Sequence, residues 1–364
     1  MTPYIPEKMP PKDLDWKSAI ELQTEAVWAL AQYSGKLEGI PNPDVLLSPL
    51  TSQEAVLSSK IEGTQATLGE VLEFEAGKKD VHPVKRDDIH EILNYRAAMK
   101  LAISSLNDKP ITLHLIRDIH YRLLRGVRGH NKRRGEFRRD QTWIGPRGCK
   151  QEDATFVPPS PLILGEFLTN LENFINKPDP NFLIQLGLIH AQFELIHPFV
   201  DGNGRVGRIL IPLFLYQTKR LPGPNFYLSK YLEKNRDQYY GSLQQISKDD
   251  NWNSWMNFFL TGVITQSKEN IEKVQKILIL HENMKEVVSN ITRSMYAIQT
   301  VDAIFESPFL SIPYFSKKSG VPKISAARII NRLVEQNILR LVIPGKGRRP
   351  GIYSFPSLIE TVEN

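Results

Sequence analysis

The chain has little of what a secreted or membrane protein needs. Only one of its 364 residues is a cysteine, Cys149, which excludes an intrachain disulfide framework and suits a reducing cytoplasm. The longest uninterrupted apolar stretch, 209–216, contains a proline and is far too short to span a bilayer. The N-terminus has acids and prolines where an export signal would need an apolar core. We therefore expect a cytoplasmic protein with no membrane partner.

Internal repeats and low-complexity tracts are also absent, and 41% hydrophobic with 24% charged residues is the composition of a globular protein. The net charge of +6 is concentrated in two segments. Residues 122–139 hold eight Lys or Arg against one acid, and residues 316–350 hold nine against one. Each segment is expected to meet phosphates, of a nucleotide or of a nucleic acid.

Helical spacing covers most of the chain, with two exceptions. In 135–161, apolar residues flank a Gly/Pro turn, which predicts an exposed β-hairpin. From about residue 290 the order is helix, turn, helix and a strand-like pair, which predicts a small winged-helix (α+β) domain. The expected fold is therefore mainly α, with helical regions at 1–110 and 111–285 and the winged helix at 290–364.

The most informative segment, 197–208, contains a literal G-x-G-x-x-G from Gly202 to Gly207. A dinucleotide-binding fold needs a strand before this fingerprint and an acid about 20 residues after it. Here the preceding residues have helical spacing, and no Asp or Glu lies between Asp201 and Glu233. The sequence therefore excludes the dinucleotide fold.

A helix–loop–helix gives each polar residue of the segment a chemical role. Gly202, Asn203 and Gly204 let the backbone turn so that N–H groups form an anion nest, and the helix that follows adds its positive dipole end. Arg205 and Arg208 lie three residues apart, so both can face one phosphate chain.

Two further side chains of the segment suit catalysis. Asp201 places a carboxylate beside the nest, where Mg²⁺ bridging phosphates needs an oxygen ligand. His197, at the end of the preceding helix, is the natural base to take a proton from an incoming hydroxyl. A zinc site formed by His190, Glu194 and His197 on one helix face competes with this interpretation, but it leaves the nest and both arginines without a role.

The segment from His197 to Arg208 resembles the signature of the Fic family, H-x-F-x-[D/E]-G-N-G-R-x-x-R, at every fixed position. The resemblance implies a Fic-type helical bundle that transfers AMP from ATP to Tyr, Thr or Ser hydroxyls of a protein. It implies His197 as general base, Phe199 as an anchor of the loop and Asp201 as the Mg²⁺ ligand. The glycine amides, Asn203 and the two arginines would bind phosphates. Some family members transfer other groups or remove AMP, and the motif does not separate these activities.

A second segment, Ser58 to Gly63, resembles the family's inhibitory motif, [S/T]-x-x-x-E-[G/N]. Ser58 and Glu62 lie four residues apart on one helix face. A carboxylate in the last turn of a helix is unfavourable unless a cation compensates it. We expect Arg208 to be that cation, so that Glu62 keeps the γ-phosphate of ATP out of its productive position. A solvated surface glutamate is the alternative.

Two regions are expected to contact the substrates. The hairpin 135–161 resembles the family's flap, which holds a target segment by strand addition, and Trp143, Ile144 and Phe156 are costly to expose without a partner. Tyr239 and Tyr240 are candidates for lining the adenine pocket, although a tyrosine stripe at helical spacing also suits a core.

The C-terminal module is a candidate for DNA binding, with a helix in the major groove and a wing on the backbone. The candidate side chains are Arg328, Arg332, Lys346, Arg348 and Arg349. Winged helices also dock proteins or form dimers, so a protein partner or a homodimer stays open. Two classes of function follow: an auto-inhibited AMP-transferase, and a DNA-binding regulator whose helical body senses a nucleotide. Sensing requires the nest but no base, so His197 favours the enzyme.

Overall fold

Most of the chain has amphipathic helical spacing, and the computed structural model is correspondingly mainly helical. It describes residues 2–78, 80–127, 129, 131–146 and 148–363. The helices are α1 Trp16–Glu38, α2 Pro43–Leu46, α3 Ser48–Ile61, α4 Leu68–Glu75, α5 Pro83–Leu106, α6 Leu113–Leu123, α7 Leu164–Asn176, α8 Phe182–Ile196, α9 Asn203–Gln217, α10 Ser229–Lys234, α11 Arg236–Asp249, α12 Trp252–Thr292, α13 Ala297–Glu306, α14 Ile312–Ser319, α15 Lys323–Glu335 and α16 Pro356–Glu363. The strands are β1 Phe309–Ser311, β2 Arg340–Ile343 and β3 Ile352–Ser354.

Helices α8 and α9 form the centre of the molecule. Nearly every residue of α8 is buried, as expected for a helix that is apolar on all sides. It packs against α1, α7, α9, α11 and α12, while α1 lies along the long helix α12. The loop between α8 and α9 is therefore held by two fixed helix ends.

Helix α3, which carries most of the predicted inhibitory motif, is enclosed by elements from both ends of the chain. It packs against α4 and α5 of the N-terminal half and against α9 and α10. It also contacts α13 and α16 of the C-terminal module. Its last turn points toward the start of α9.

The C-terminal module contains a three-stranded antiparallel sheet in the order β1-β3-β2. The predicted strand pair corresponds to β2 and β3, and α14 and α15 match the two predicted helices. Sequence patterns missed β1, which has only three residues and pairs with a strand far along the chain. They also missed α16.

Two predicted features differ in the structure. The hairpin is reduced to a single bridge between Ile144 and Phe156, because the intervening residues turn back on themselves instead of pairing. Its turn includes Arg147, which lies outside the described residues. The predicted boundary near 285–290 falls inside α12, which has no proline to interrupt it and ends only where Arg293 takes a left-handed conformation.

Within the described part of the chain, no helix combines the length and the apolar character that crossing a membrane requires.

Candidate active site

The loop between α8 and α9 is shaped by two residues in the left-handed region. His197 has φ 48° and ends α8, and Gly202 has φ 80° and immediately precedes α9. Glycine tolerates this conformation without strain, whereas histidine does not. Helix α9 begins at Asn203, two residues before the predicted start, so the first-turn N–H groups of the helix belong to the predicted nest.

Phe199 anchors the loop in the core, as expected. It is fully buried and stacks on His120 with 3.8 Å between ring centroids. The Asn203 side chain closes the loop by accepting from Phe199 N at 2.8 Å and donating to Phe199 O at 2.9 Å. These contacts use one of the two Nδ2 hydrogens, so the contact of Asn203 with a phosphate stays a prediction.

His197 has the protonation state that a general base needs. Burial lowers the pKa of its imidazole to about 4, so the ring is neutral near pH 7. Its Nδ1 lies 3.3 Å from the carbonyl oxygen of Glu194. A carbonyl only accepts hydrogen bonds, so Nδ1 carries the proton and Nε2 keeps a lone pair for an incoming hydroxyl.

Arg208 contacts both Ser58 and Glu62 of the predicted inhibitory motif. Its guanidinium donates to Ser58 Oγ at 2.8 Å, to Ser58 O at 2.9 Å and to Glu62 Oε1 at 2.7 Å. Burial alone would raise the pKa of the Glu62 carboxyl, but Arg208 outweighs it and holds that pKa below its usual value. The expected pairing of Glu62 with Arg208 is therefore present, with the carboxylate ionised.

Glu62 also lies inside the nest. A Cβ added to Gly204 would come within 2.3 Å of Glu62 Oε1 and within 2.8 Å of an Arg208 nitrogen. The carboxylate thus lies directly over the glycine whose amide was expected to face a phosphate. Two anions cannot share that position, so Glu62 and a phosphate at Gly204 exclude each other.

Arg205 and Asp201 form the other side of the nest. Arg205 is buried and bridges Glu91 of α5 at 3.1 Å and Asp201 at 3.6 Å. Asp201 also accepts from Lys132 at 3.1 Å. One carboxylate beside a phosphate site suits Mg²⁺, which is commonly held by one or two carboxylates together with substrate phosphates. Asp201 therefore fits the predicted metal ligand.

The zinc alternative fails on the contacts of its members. His190 is buried, with Nδ1 at 3.2 Å from Gly207 O and Nε2 at 2.9 Å from the Tyr239 hydroxyl, so neither nitrogen is free for a metal. Burial raises the pKa of the Glu194 carboxyl to about 8, which keeps it protonated at neutral pH. Among the described residues, no group of three ligating side chains could hold a metal ion.

The two tyrosines predicted to line the adenine pocket have different surroundings in the structure. Tyr239 is buried and its hydroxyl bonds to His190, so it belongs to the core, which corrects the expectation. Tyr240 is 42% exposed and packs against Tyr239 with 5.0 Å between centroids. Only Tyr240 is placed to contact a ligand.

The flap residues are partly exposed. Trp143 and Ile144 are 42% and 41% exposed, whereas Phe156 packs against Tyr4 with 5.9 Å between ring centroids. The N–H of Tyr4 donates to Val157 O, so the N-terminal segment lies along one arm of the flap. The flap therefore offers Trp143 and Ile144, but not Phe156, as an apolar edge.

The predicted DNA-binding side chains are all exposed, and one of them also holds a helix end. Arg328, Lys346, Arg348 and Arg349 are exposed. Arg332 is exposed as well, but its Nη1 donates to the carbonyls of Ile291 and Thr292 and thereby caps the end of α12. Its assignment to DNA stays a prediction.

Sequence patterns missed four residues around the site because their partners lie far along the chain. Arg138, counted within the basic segment 122–139, is buried against the carbonyl of His197. His120 accepts from Gly135 N at Nδ1 and donates to Asp201 O from Nε2. Glu54 and Lys273 hold α3 in place. Their charged or ionisable residue type was the only signal for them in the sequence.

Comparison with protein families finds two matches. The model described as "Fic/DOC family N-terminal" matches residues 20–104, and the one described as "Fic/DOC family" matches residues 110–215, together just over half of the chain. "Protein adenylyltransferase Fic" of Drosophila grimshawi is 33% identical over 196 residues, which cover 52% of this chain and 37% of that protein. The counterpart in Culex quinquefasciatus is 31% identical over 198 residues. The chain thus matches little more than a third of the length of these curated relatives.

Solved structures show the same fold. The crystal structure of a Fic family protein from Desulfovibrio desulfuricans has a TM-score of 0.60 at 19% identity and covers 95% of this chain and 98% of its own. A structure of Fic-1 from C. elegans has a TM-score of 0.53 at 21% identity and covers 72% of this chain and 73% of its own. The first of these similarities includes the C-terminal module.

Proposed function

The chain belongs to the Fic/DOC family, and from that premise we propose that it is a protein adenylyltransferase. It transfers AMP from ATP to a Tyr, Thr or Ser hydroxyl of another protein or of its own chain, and Glu62 inhibits it. The observation that carries the proposal is the neutral His197, whose Nε2 has no hydrogen-bond partner among the described residues, beside a nest of backbone amides and the two arginines. A base is needed for transfer to a hydroxyl and is superfluous for binding a nucleotide.

The side chains fit an in-line transfer. The hydroxyl oxygen of the target forms a bond to the α-phosphorus of ATP, and its proton passes to Nε2 of His197. The bond from that phosphorus to the α–β bridging oxygen breaks, and pyrophosphate leaves. Amides of the first turn of α9 and the guanidiniums of Arg205 and Arg208 stabilise the charge on the phosphates. Asp201 would hold Mg²⁺, which supplies further neutralisation of phosphate charge.

The proposed inhibition, called the brake below, follows from the position of Glu62. Its carboxylate lies over Gly204 and is paired with Arg208, so it occupies the space and the cation that a phosphate chain needs. ATP would then bind with its terminal phosphate displaced, or would have to displace Glu62. Removing that carboxylate frees both Gly204 and Arg208.

The test is incorporation of label from α-labelled and, separately, γ-labelled ATP with Mg²⁺, with the protein alone and with a cell lysate as target. Glu62→Gly should incorporate α-label at least tenfold faster than the wild type, because one Arg208 charge-assisted hydrogen bond is released for phosphate. His197→Ala in the Glu62→Gly background should lose about 100-fold or more.

The other outcomes are equally informative. Label from γ-labelled ATP alone would show phosphate transfer, and release of AMP from a labelled target would show the reverse reaction. If no variant incorporates label although ATP binds, the chain is a nucleotide sensor or uses another donor, and the proposal is wrong.

A second candidate function is nucleic-acid binding by the C-terminal module, which has the order of elements expected of a winged helix. Lys346 and Arg349 are joined by two backbone hydrogen bonds in a tight turn between β2 and β3, and their side chains are exposed together with Arg348. Three cations on a projecting turn suit contacts to a phosphate backbone.

A further inference from the structure

Arg138 is a buried cation whose hydrogen bonds all go to backbone carbonyls. Only 2% of its surface is exposed, and no salt bridge to it occurs among the described residues. Its Nε donates to His197 O at 2.9 Å, and Nη2 donates to Pro159 O at 2.5 Å and to Ile196 O at 3.4 Å. A guanidinium this deeply buried is retained at a cost in desolvation, so its partners are informative.

These partners belong to two different parts of the site. Ile196 and His197 are the last carbonyls of α8, where a cation opposes the negative end of the helix dipole. Arg138 itself lies on the incoming arm of the flap, and Pro159 lies on the outgoing arm. The N–H of Arg138 also donates to Pro198 O at 2.9 Å, which adds a main-chain bond between the flap and the catalytic loop.

His197 needs this support because its backbone is strained. Its φ of 48° is uncommon for a residue with a side chain, and such a conformation persists only where surrounding contacts fix it. The Nε donation to His197 O holds the peptide that follows the strained residue. The direction of the imidazole therefore depends on the guanidinium of Arg138.

We infer that Arg138 is a positioning residue that fixes the backbone of His197 and joins it to both arms of the flap. A target segment docked on the flap is thereby held in a fixed position relative to the base that deprotonates it. This role rests on the proposed transfer reaction. In this role Arg138 acts through His197 and the flap and does not contact ATP or the target hydroxyl.

The experiment compares Arg138→Met and Arg138→Lys in the Glu62→Gly background, with the exposed neighbour substitution Arg139→Met as matched control. Arg138→Met should lower kcat about 100-fold, the effect of a displacement on the order of 1 Å at the reacting groups. The Kd for ATP should change less than about threefold, because Arg138 makes no contact with the nest. Arg138→Lys keeps the charge but not the fork of donors, so its kcat should lie between that of Arg138→Met and that of the Glu62→Gly parent.

Hydrogen–deuterium exchange supplies a readout that needs no activity and works even if the transfer reaction is a different one. In Arg138→Met, amides of both flap arms and of residues 197–203 should exchange faster together, while α3 and α5 remain unchanged. Faster exchange in the flap alone, or a kcat within threefold of the parent, would overturn the inference. Faster exchange along the whole chain would show a purely structural role and would overturn it as well. Failure of Glu62→Gly to transfer AMP would count against the proposed function only.

Discussion

Two glutamates, one within α3 and one directly after its last residue, show how position sets the charge of the same residue type. Glu62 faces Arg208, which holds the pKa of its carboxyl below the usual value. Glu54 is 4% exposed, and burial raises the pKa of its carboxyl to about 7, although Ser229 donates to it from both N and Oγ. One carboxylate is therefore ionised for its contact, while the other titrates near neutral pH.

The raised pKa of Glu54 predicts a dependence of stability on pH. The folded state keeps the proton up to about pH 7, whereas the unfolded chain releases it near pH 4.5, so this group makes folding less favourable as pH rises between those values. Glu54→Gln removes the titration. The difference in the free energy of unfolding, variant minus wild type, should increase by on the order of 3 kcal/mol between pH 4.5 and pH 8.

Urea unfolding at pH 4.5, 6 and 8 measures this difference. Glu38→Gln, at an exposed position near the end of α1, is the matched control and should run parallel to the wild type at every pH. A Glu54→Gln curve that also stays parallel would show that Glu54 is ionised in the folded state throughout the range.

At the level of elements, local chemistry was predictable and long-range pairing was not. The loop from His197 to Arg208 could be read from the sequence because its glycines, helix start and charges act on neighbouring residues. The flap was predicted with more strand than it has, since apolar residues beside a turn do not specify pairing. Arg138 and His120 could not be assigned, because their partners lie 59 and 81 residues away.

The turn between β2 and β3 carries a prediction of its own. Replacing Lys346, Arg348 and Arg349 together by Gln should weaken binding to duplex DNA by at least about tenfold at 0.1 M salt. It should also reduce the slope of log K against log salt by about 3, because each lost phosphate contact releases about one fewer counterion. The measurement is a fluorescence-anisotropy titration at several salt concentrations.

A charge-matched control separates specific contacts from net charge. Lys12, Lys17 and Lys36, exposed on the N-terminal region, are replaced by Gln together. This variant should keep the salt slope of the wild type. Equal losses in the two triple variants would mean that the whole charge of the molecule, and not the turn, attracts DNA.

Across the whole molecule, the C-terminal module holds the helix that carries Glu62. Lys273, buried on α12, donates to Gln53 of α3 at 3.0 Å and also to the carbonyl of Val362 in α16. At the first residue of α3, Ser48 Oγ donates to Glu306 O at 3.1 Å. The packing of α3 therefore depends on residues more than 200 positions away in sequence, which no local pattern could have indicated.

This arrangement predicts that loosening the C-terminal contact weakens the brake. Lys273→Met removes both hydrogen bonds at once while keeping most of the side-chain volume, so α3 should be held less firmly and self-incorporation of α-labelled AMP should rise several-fold over the wild type. Lys276→Met, at an exposed position on the same helix, should leave labelling unchanged.

The decisive comparison is the double variant with Glu62→Gly. If Lys273 acts through the brake, Lys273→Met adds nothing once Glu62 is gone, because two substitutions on one interaction are not additive. A further increase in the double variant would place the effect of Lys273 elsewhere, and no increase in the single variant would show that Glu62 stays on Arg208 without the C-terminal contact.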